Sequence, residues 1–170
     1  MNTKYFRPAF WLAASVVLVS SLAWSGGYGG GGGGSTIPVS KPVTFSSTLS
    51  GSSEAEPNMS TATGSGSTVV DSRTKALTAM VTTTGVVGTA AHIHEGAVGV
   101  SGPVIIPLTE TPAGSGKWSA SVTLTNAQFT KLKAGGYYFN VHSTAYPAGE
   151  IRGQILQSSA GSGAGSGTGY

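Results

Sequence analysis

The 170-residue chain contains no cysteine, and only 9% of its residues are charged. The first absence excludes disulfide scaffolds, thiolate zinc sites, iron–sulfur clusters, blue copper centres and cysteine nucleophiles. Any metal site must then use imidazole and oxygen donors. Imidazole is itself scarce, with three histidines in all: His92, His94 and His142. The shortage of charge bears on partners. A formal net charge of +3 comes from 9 basic and 6 acidic residues, and Lys4 and Arg7 lie in a segment expected to be removed. Without them 9 − 2 = 7 basic residues face 6 acidic ones. No Lys/Arg cluster is left to track phosphates, so nucleic acid is not an expected partner. Also missing are a dinucleotide-binding G-x-G-x-x-G after a strand, a Walker A loop and a G-x-S-x-G elbow.

Glycine, in contrast, is abundant, at 27 residues with 8 prolines. Together they make about a fifth of the chain, below the roughly 25–30% of low-complexity sequences, and no Gly-X-Y period is present. Their placement divides the sequence. Eight glycines lie between Gly26 and Gly34, and five more between Gly161 and Gly169. The chain therefore reads as a signal peptide (1–23), a Gly-rich flexible linker (24–42), a compact domain (43–156) and a Gly/Ser-rich flexible tail (157–170). Lys4 and Arg7 precede an apolar run, Ala9–Leu22, and Ser21-Leu22-Ala23 offers the small residues of a Sec-type cleavage site. The run is shorter than the ~20 residues that span a bilayer, so no transmembrane span is expected in the mature form. The expected location is periplasmic or extracellular.

The central segment reads as short strands with Gly/Pro turns. Val43–Leu49 alternates apolar and polar residues, and Glu54–Gly66 reads as a loop because Pro57, Asn58, Gly64 and Gly66 punctuate it. Strands follow at Ser67–Asp71, Ala76–Thr84, Thr89–His94, Pro103–Leu108, around Trp118–Leu124, and at Tyr137–Ser143, with Ile151 and Ile155 marking a last one. Thr125-Asn-Ala-Gln128 has capping-box spacing, which predicts a short helix near 126–133 ended by Gly135-Gly136. The expected fold is all-β: an antiparallel, Greek-key-like β-sandwich or barrel of about 7–8 strands with one short helix.

The histidines fall where this reading gives them chemical meaning. Side chains alternate in a strand, so His92 and His94 point to one face while Ile93 points to the core. His142 shares a face with Tyr138 and Asn140 on a later strand. If the two strands are neighbours, three imidazoles converge into a site suited to copper, with zinc the second choice. Glu95 and Glu150 are further ligand candidates or partners that orient an imidazole, with Asn140 and Arg152 beside them. Glu150 and Arg152, two apart, could also form a charge pair on the sheet face. The competing structural reading is that the imidazoles only hydrogen-bond across a sheet.

Several segments resemble the CHRD domain, a family of exported proteins common in bacteria. They are Phe45–Glu54, Ala91-His-Ile-His-Glu-Gly96, Gly102-Pro-Val104, Leu124–Gln128, Gly136-Tyr-Tyr-Phe-Asn-Val-His142 and Pro147-Ala-Gly-Glu-Ile-Arg-Gly-Gln-Ile155. The resemblance implies an all-β extracytoplasmic domain and little about chemistry. His92-Ile-His-Glu95 is also locally similar to the copper-binding strand of Cu,Zn superoxide dismutase. That similarity implies copper ligation by His92 and His94, with His142 in the role of a late-strand copper histidine. The bridging and zinc-binding histidines of that enzyme have no counterpart, which argues against dismutase activity. Three functions remain open: an exported protein binding one transition metal ion, a non-enzymatic interaction or matrix module, and a copper-dependent redox enzyme. No residue is assigned as catalytic.

Overall fold

The computed structural model describes residues 41–158. The chain divides into two units, Met1–Ile37 and Pro38–Tyr170, and the described residues all belong to the second. The expected signal peptide, nearly all of the linker, and the tail beyond Ser158 lie outside them.

Nine strands are present among the described residues: β1 (Pro42–Ser50), β2 (Thr63–Asp71), β3 (Ala76–Thr84), β4 (Gly88–Glu95), β5 (Val104–Glu110), β6 (Lys117–Thr123), β7 (Tyr137–Ser143), β8 (Ile151–Gln154) and β9 (Leu156–Gln157). The pairing order is β2-β3-β6-β5-β4-β7-β8-β1, and β1 also pairs with β2, which closes eight antiparallel strands into a barrel. The short β9 lies outside it against β1. Closure removes the exposed edges that an open sheet of this size would present.

Within the barrel, β4, β5 and β6 are consecutive neighbours, and β7 returns to lie beside β4. This is a Greek key, and it determines the site, because it makes the strands of His92 and His142 adjacent. The long β6–β7 connection carries α1 (Asn126–Lys133), the single α-helix among the described residues. Its start is built as the sequence suggests: Gln128 N–H donates to the Thr125 hydroxyl and Thr125 N–H to the Gln128 side chain. Its Phe129 and Leu132 are buried in the core cluster.

The core is read off the strand alternation. In β7, Tyr137, Phe139 and Val141 join the interior cluster, while Tyr138, Asn140 and His142 take the opposite, outer face. In β4, Ile93 is 1% exposed and lies in the core, with His92 and His94 facing outward.

One boundary differs from the sequence reading. Residues 63–66, read as loop because of Gly64 and Gly66, form the start of β2. A Cβ on Gly66 would lie 2.6 Å from the ring of Phe139. Glycine there makes room for an aromatic ring from the far wall, so it marks a close approach inside a strand rather than a turn. The final apolar pair is also split: Ile151 starts β8, whereas Ile155 lies between β8 and β9.

Candidate metal centre

The outer face of β4, β7 and β8 is roofed by three segments, 51–62, 96–103 and 144–150. Each is tied down by named bonds. Asn58 donates to the carbonyls of Gly149 and Glu150. The Arg152 guanidinium donates to the carbonyls of Ala97 (2.7 Å) and Val100 (3.0 Å). Gly102 N–H donates to the Tyr138 hydroxyl. Beneath these segments the sheet face carries polar side chains that are nonetheless buried, among them His94, Asn140 and Arg152, and Glu150 at the end of the third segment is buried as well.

The register of β4 on β7 brings the histidines together. His92 stands opposite Asn140, His94 opposite Tyr138, and His142 opposite Ala90, so His142 is the diagonal neighbour of His92. A bulge at Ile93/His94 interrupts the pairing of β4 with β5, a device that re-aims a side chain next to a site. One ring nitrogen from each of His92, His94 and His142 lies within 4.8 Å of the others. Tetrahedral ligation at ~2.0–2.1 Å places nitrogens about 3.4 Å apart, so modest ring rotations would close the group on one ion. No carboxylate joins the three among the described residues.

The hydrogen bonds around the rings fix their proton positions. His94 Nδ1 faces the Gly102 carbonyl at 2.9 Å, and His142 Nδ1 faces the Pro147 carbonyl at 3.1 Å. A carbonyl only accepts, so each Nδ1 carries the proton and each Nε2 presents a lone pair. For His94 that Nε2 is buried and has no hydrogen-bond partner. An orphaned lone pair inside a protein is costly, and a metal ion is one group that would satisfy it. His142 Nε2 instead meets His92 Nδ1 at 3.1 Å. A metal ion between those two rings would take the place of that shared proton. Backbone carbonyls behind metal-bound imidazoles are a recurrent means of setting ring orientation.

Electrostatics hold two of the rings neutral. Burial, then His142 and His94, push His92 below its ordinary pKa. Burial pushes His94 down as well, against the Gly102 hydrogen bond that raises it, with His142 and Arg152 adding repulsion. Neutral imidazole is the ligating form.

The remaining candidates occupy separate positions. Glu95 pairs with Lys131 of α1. Glu150 accepts from the Ser60 hydroxyl at 2.7 Å. Glu150 and Arg152 therefore engage different partners. Asn140 lies between the His92 strand and Arg152, facing each across its ladder, and its amide approaches Glu54 Oε2 at 3.4 Å.

Glu54 is a residue the sequence reading did not single out. Burial, opposed by Arg152 and the Asn140 hydrogen bond, raises its pKa to about 7. Glu54 Oε1 and Asn140 Oδ1 are both buried without a partner. Both lie within 2.8 Å of the point a Cβ on Gly149 would occupy. A proton on Oε1 can donate to Oδ1, which would pair the acid and the amide through two hydrogen bonds. Gly149 is needed at this contact on two grounds, its φ of +144° and the space that a side chain would take. The sequence signal was weak: Glu54 opens a loop, and its partner is 86 residues away.

Fold and site together define a closed antiparallel Greek-key barrel with a three-histidine group on its outer wall. A family model, CHRD domain, matches residues 45–155, and the chain belongs to that family. No curated protein and no solved structure matches the chain.

Proposed function

We propose that this CHRD-domain protein binds one transition metal ion, copper in preference to zinc, through His92, His94 and His142. The observation that carries the reading is the buried, unpartnered Nε2 of His94 within a group of three imidazoles. An all-imidazole donor set suits copper and zinc and gives little purchase to hard cations such as calcium or magnesium. Glu95, Glu150, Asn140 and Arg152 act around the site rather than on the ion. The protein acts outside the cytoplasm, after export by the Sec-type segment at 1–23, and is a binding protein rather than an enzyme. Membership of the CHRD family supports export, and no helix among the described residues is long and apolar enough to cross a membrane.

The structural reading has one observation in its favour, the His92–His142 hydrogen bond, which needs no ion. Calorimetric titration of the mature domain with copper and with zinc separates the two. The metal reading expects one equivalent bound at sub-micromolar Kd, with affinity lost in His92→Ala, His94→Ala and His142→Ala and kept in Glu95→Ala. Equal affinity in all four variants would reduce the histidines to a hydrogen-bonded cluster.

A further inference from the structure

Behind His94 lies a stack that the ligand set alone does not explain. The Tyr138 ring lies against the His94 ring, with centroids 5.1 Å apart and planes within 13°. From the next strand, the Arg152 guanidinium sits over Tyr138 with Cζ 3.4 Å from the ring centroid. The two distances place the guanidinium carbon no more than 8.5 Å from the centre of the His94 ring. Arg152 is 2% exposed. Its guanidinium donates to two neutral carbonyls, those of Ala97 and Val100. The acid that feels its charge, Glu54, is itself partly protonated near neutrality because burial raises it. A buried positive charge thus stands near the histidine group, offset in part by Glu54. No carboxylate among the described residues joins the three imidazoles.

This environment discriminates by charge. A fixed cation repels a divalent ion twice as strongly as a monovalent one at the same distance. Three imidazole nitrogens also fall short of the tetragonal N/O set that Cu(II) prefers. We propose that the site is built to hold copper as Cu(I), and that Arg152, seated on Tyr138, sets this preference. The proposal rests on the metal-binding reading above and specifies the oxidation state of the cargo. Loading from Cu(II) then requires one electron from an external small-molecule reductant: Cu(II) gains the electron, the reductant loses it, and no protein bond is formed or broken in the transfer. Arg152 is a positioning and electrostatic residue in this scheme, since it does not touch the ion.

The test measures affinity for Cu(I), under ascorbate with a chromogenic Cu(I) chelator as competitor, and for Cu(II) with an amino-acid competitor. Wild-type protein, Arg152→Lys and Arg152→Gln are compared. Wild type should bind Cu(I) at least about a hundredfold more tightly than Cu(II). One charge at this range and an effective dielectric near 20 is worth roughly tenfold, ~59 mV for one electron. The Cu(I)/Cu(II) affinity ratio should therefore fall by about that much in Arg152→Gln and stay within about threefold of wild type in Arg152→Lys. Cu(II) bound as tightly as Cu(I) by wild type overturns the proposal, even where Arg152→Gln fails to fold. So does an unchanged ratio in a folded Arg152→Gln. Copper bound in neither state removes the metal-binding reading itself, a result distinct from binding in the wrong oxidation state.

Discussion

Individual side chains on the outer wall are held in unusual electrostatic states, and pH exposes them. Glu54 has a pKa of about 7 in the folded protein against an ordinary 4.5. Between those values the folded chain binds a proton that the unfolded chain has released, so this carboxyl makes stability fall as pH rises from 4.5 to 7. His92 and His94 act in the opposite sense in metal-free protein. Their folded pKa values are depressed below 6.5, so the stability they contribute is present above that pH and lost as pH falls. Replacing Glu54 with Gln keeps an amide-like hydrogen-bonding shape and removes the first effect. Urea midpoints measured from pH 5 to 7.5 should decline toward pH 7 less in Glu54→Gln than in wild type. Parallel profiles would mean that Glu54 titrates as an ordinary exposed acid.

Secondary elements divide into those that local sequence dictates and those that depend on distant partners. The helix belongs to the first kind. Thr125 and Gln128 are three apart, satisfy each other's backbone N–H groups, and place α1 at the residues the spacing predicts. Thr125→Ala should cost ~0.5–2 kcal/mol of stability, read as a lowered denaturant midpoint; a loss below a few tenths would show that core packing of Phe129 and Leu132 alone holds the helix. Strand β3 was legible for a similar reason, since its period-two alternation matches its buried face; β7 was marked by the alternation of Tyr137, Phe139 and Val141, although both of its faces are buried. The start of β2 was not legible. Gly64 and Gly66 punctuate a sequence in the same way whether they make a turn or leave room for Phe139, and only the far wall of the barrel distinguishes the two. The same limit applies to the site. His92 and His94 share a face by alternation alone, but His142 joins them only through the β4–β7 pairing, a product of the Greek-key return. The carbonyls of Gly102 and Pro147 that fix the ring protons leave no trace in side-chain identity. Glu54 meets Asn140 across 86 residues of chain.

At the scale of the whole domain, the described residues form a closed barrel whose interior is filled and whose outer wall is roofed on one side. Closure places β2 and β7 on facing walls, with the glycine of one against the aromatic ring of the other. Gly66→Val should therefore destabilise more than a strand-interior substitution that leaves room, by ~1–3 kcal/mol as overpacking does elsewhere, read from thermal unfolding; an unchanged midpoint would mean that Phe139 moves aside freely. Segments 51–62, 96–103 and 144–150 bury charge and imidazole on a face that would otherwise be wet, and they orient the three histidines toward one point. X-ray absorption of the domain loaded with one equivalent of copper reports on that arrangement directly. Three imidazole nitrogens at ~2.0 Å, falling to two in His142→Ala, is the result that the metal-binding proposal predicts. Copper that is lost on desalting, or that is held by fewer imidazoles with its spectrum unaltered in His142→Ala, would contradict a three-histidine metal centre.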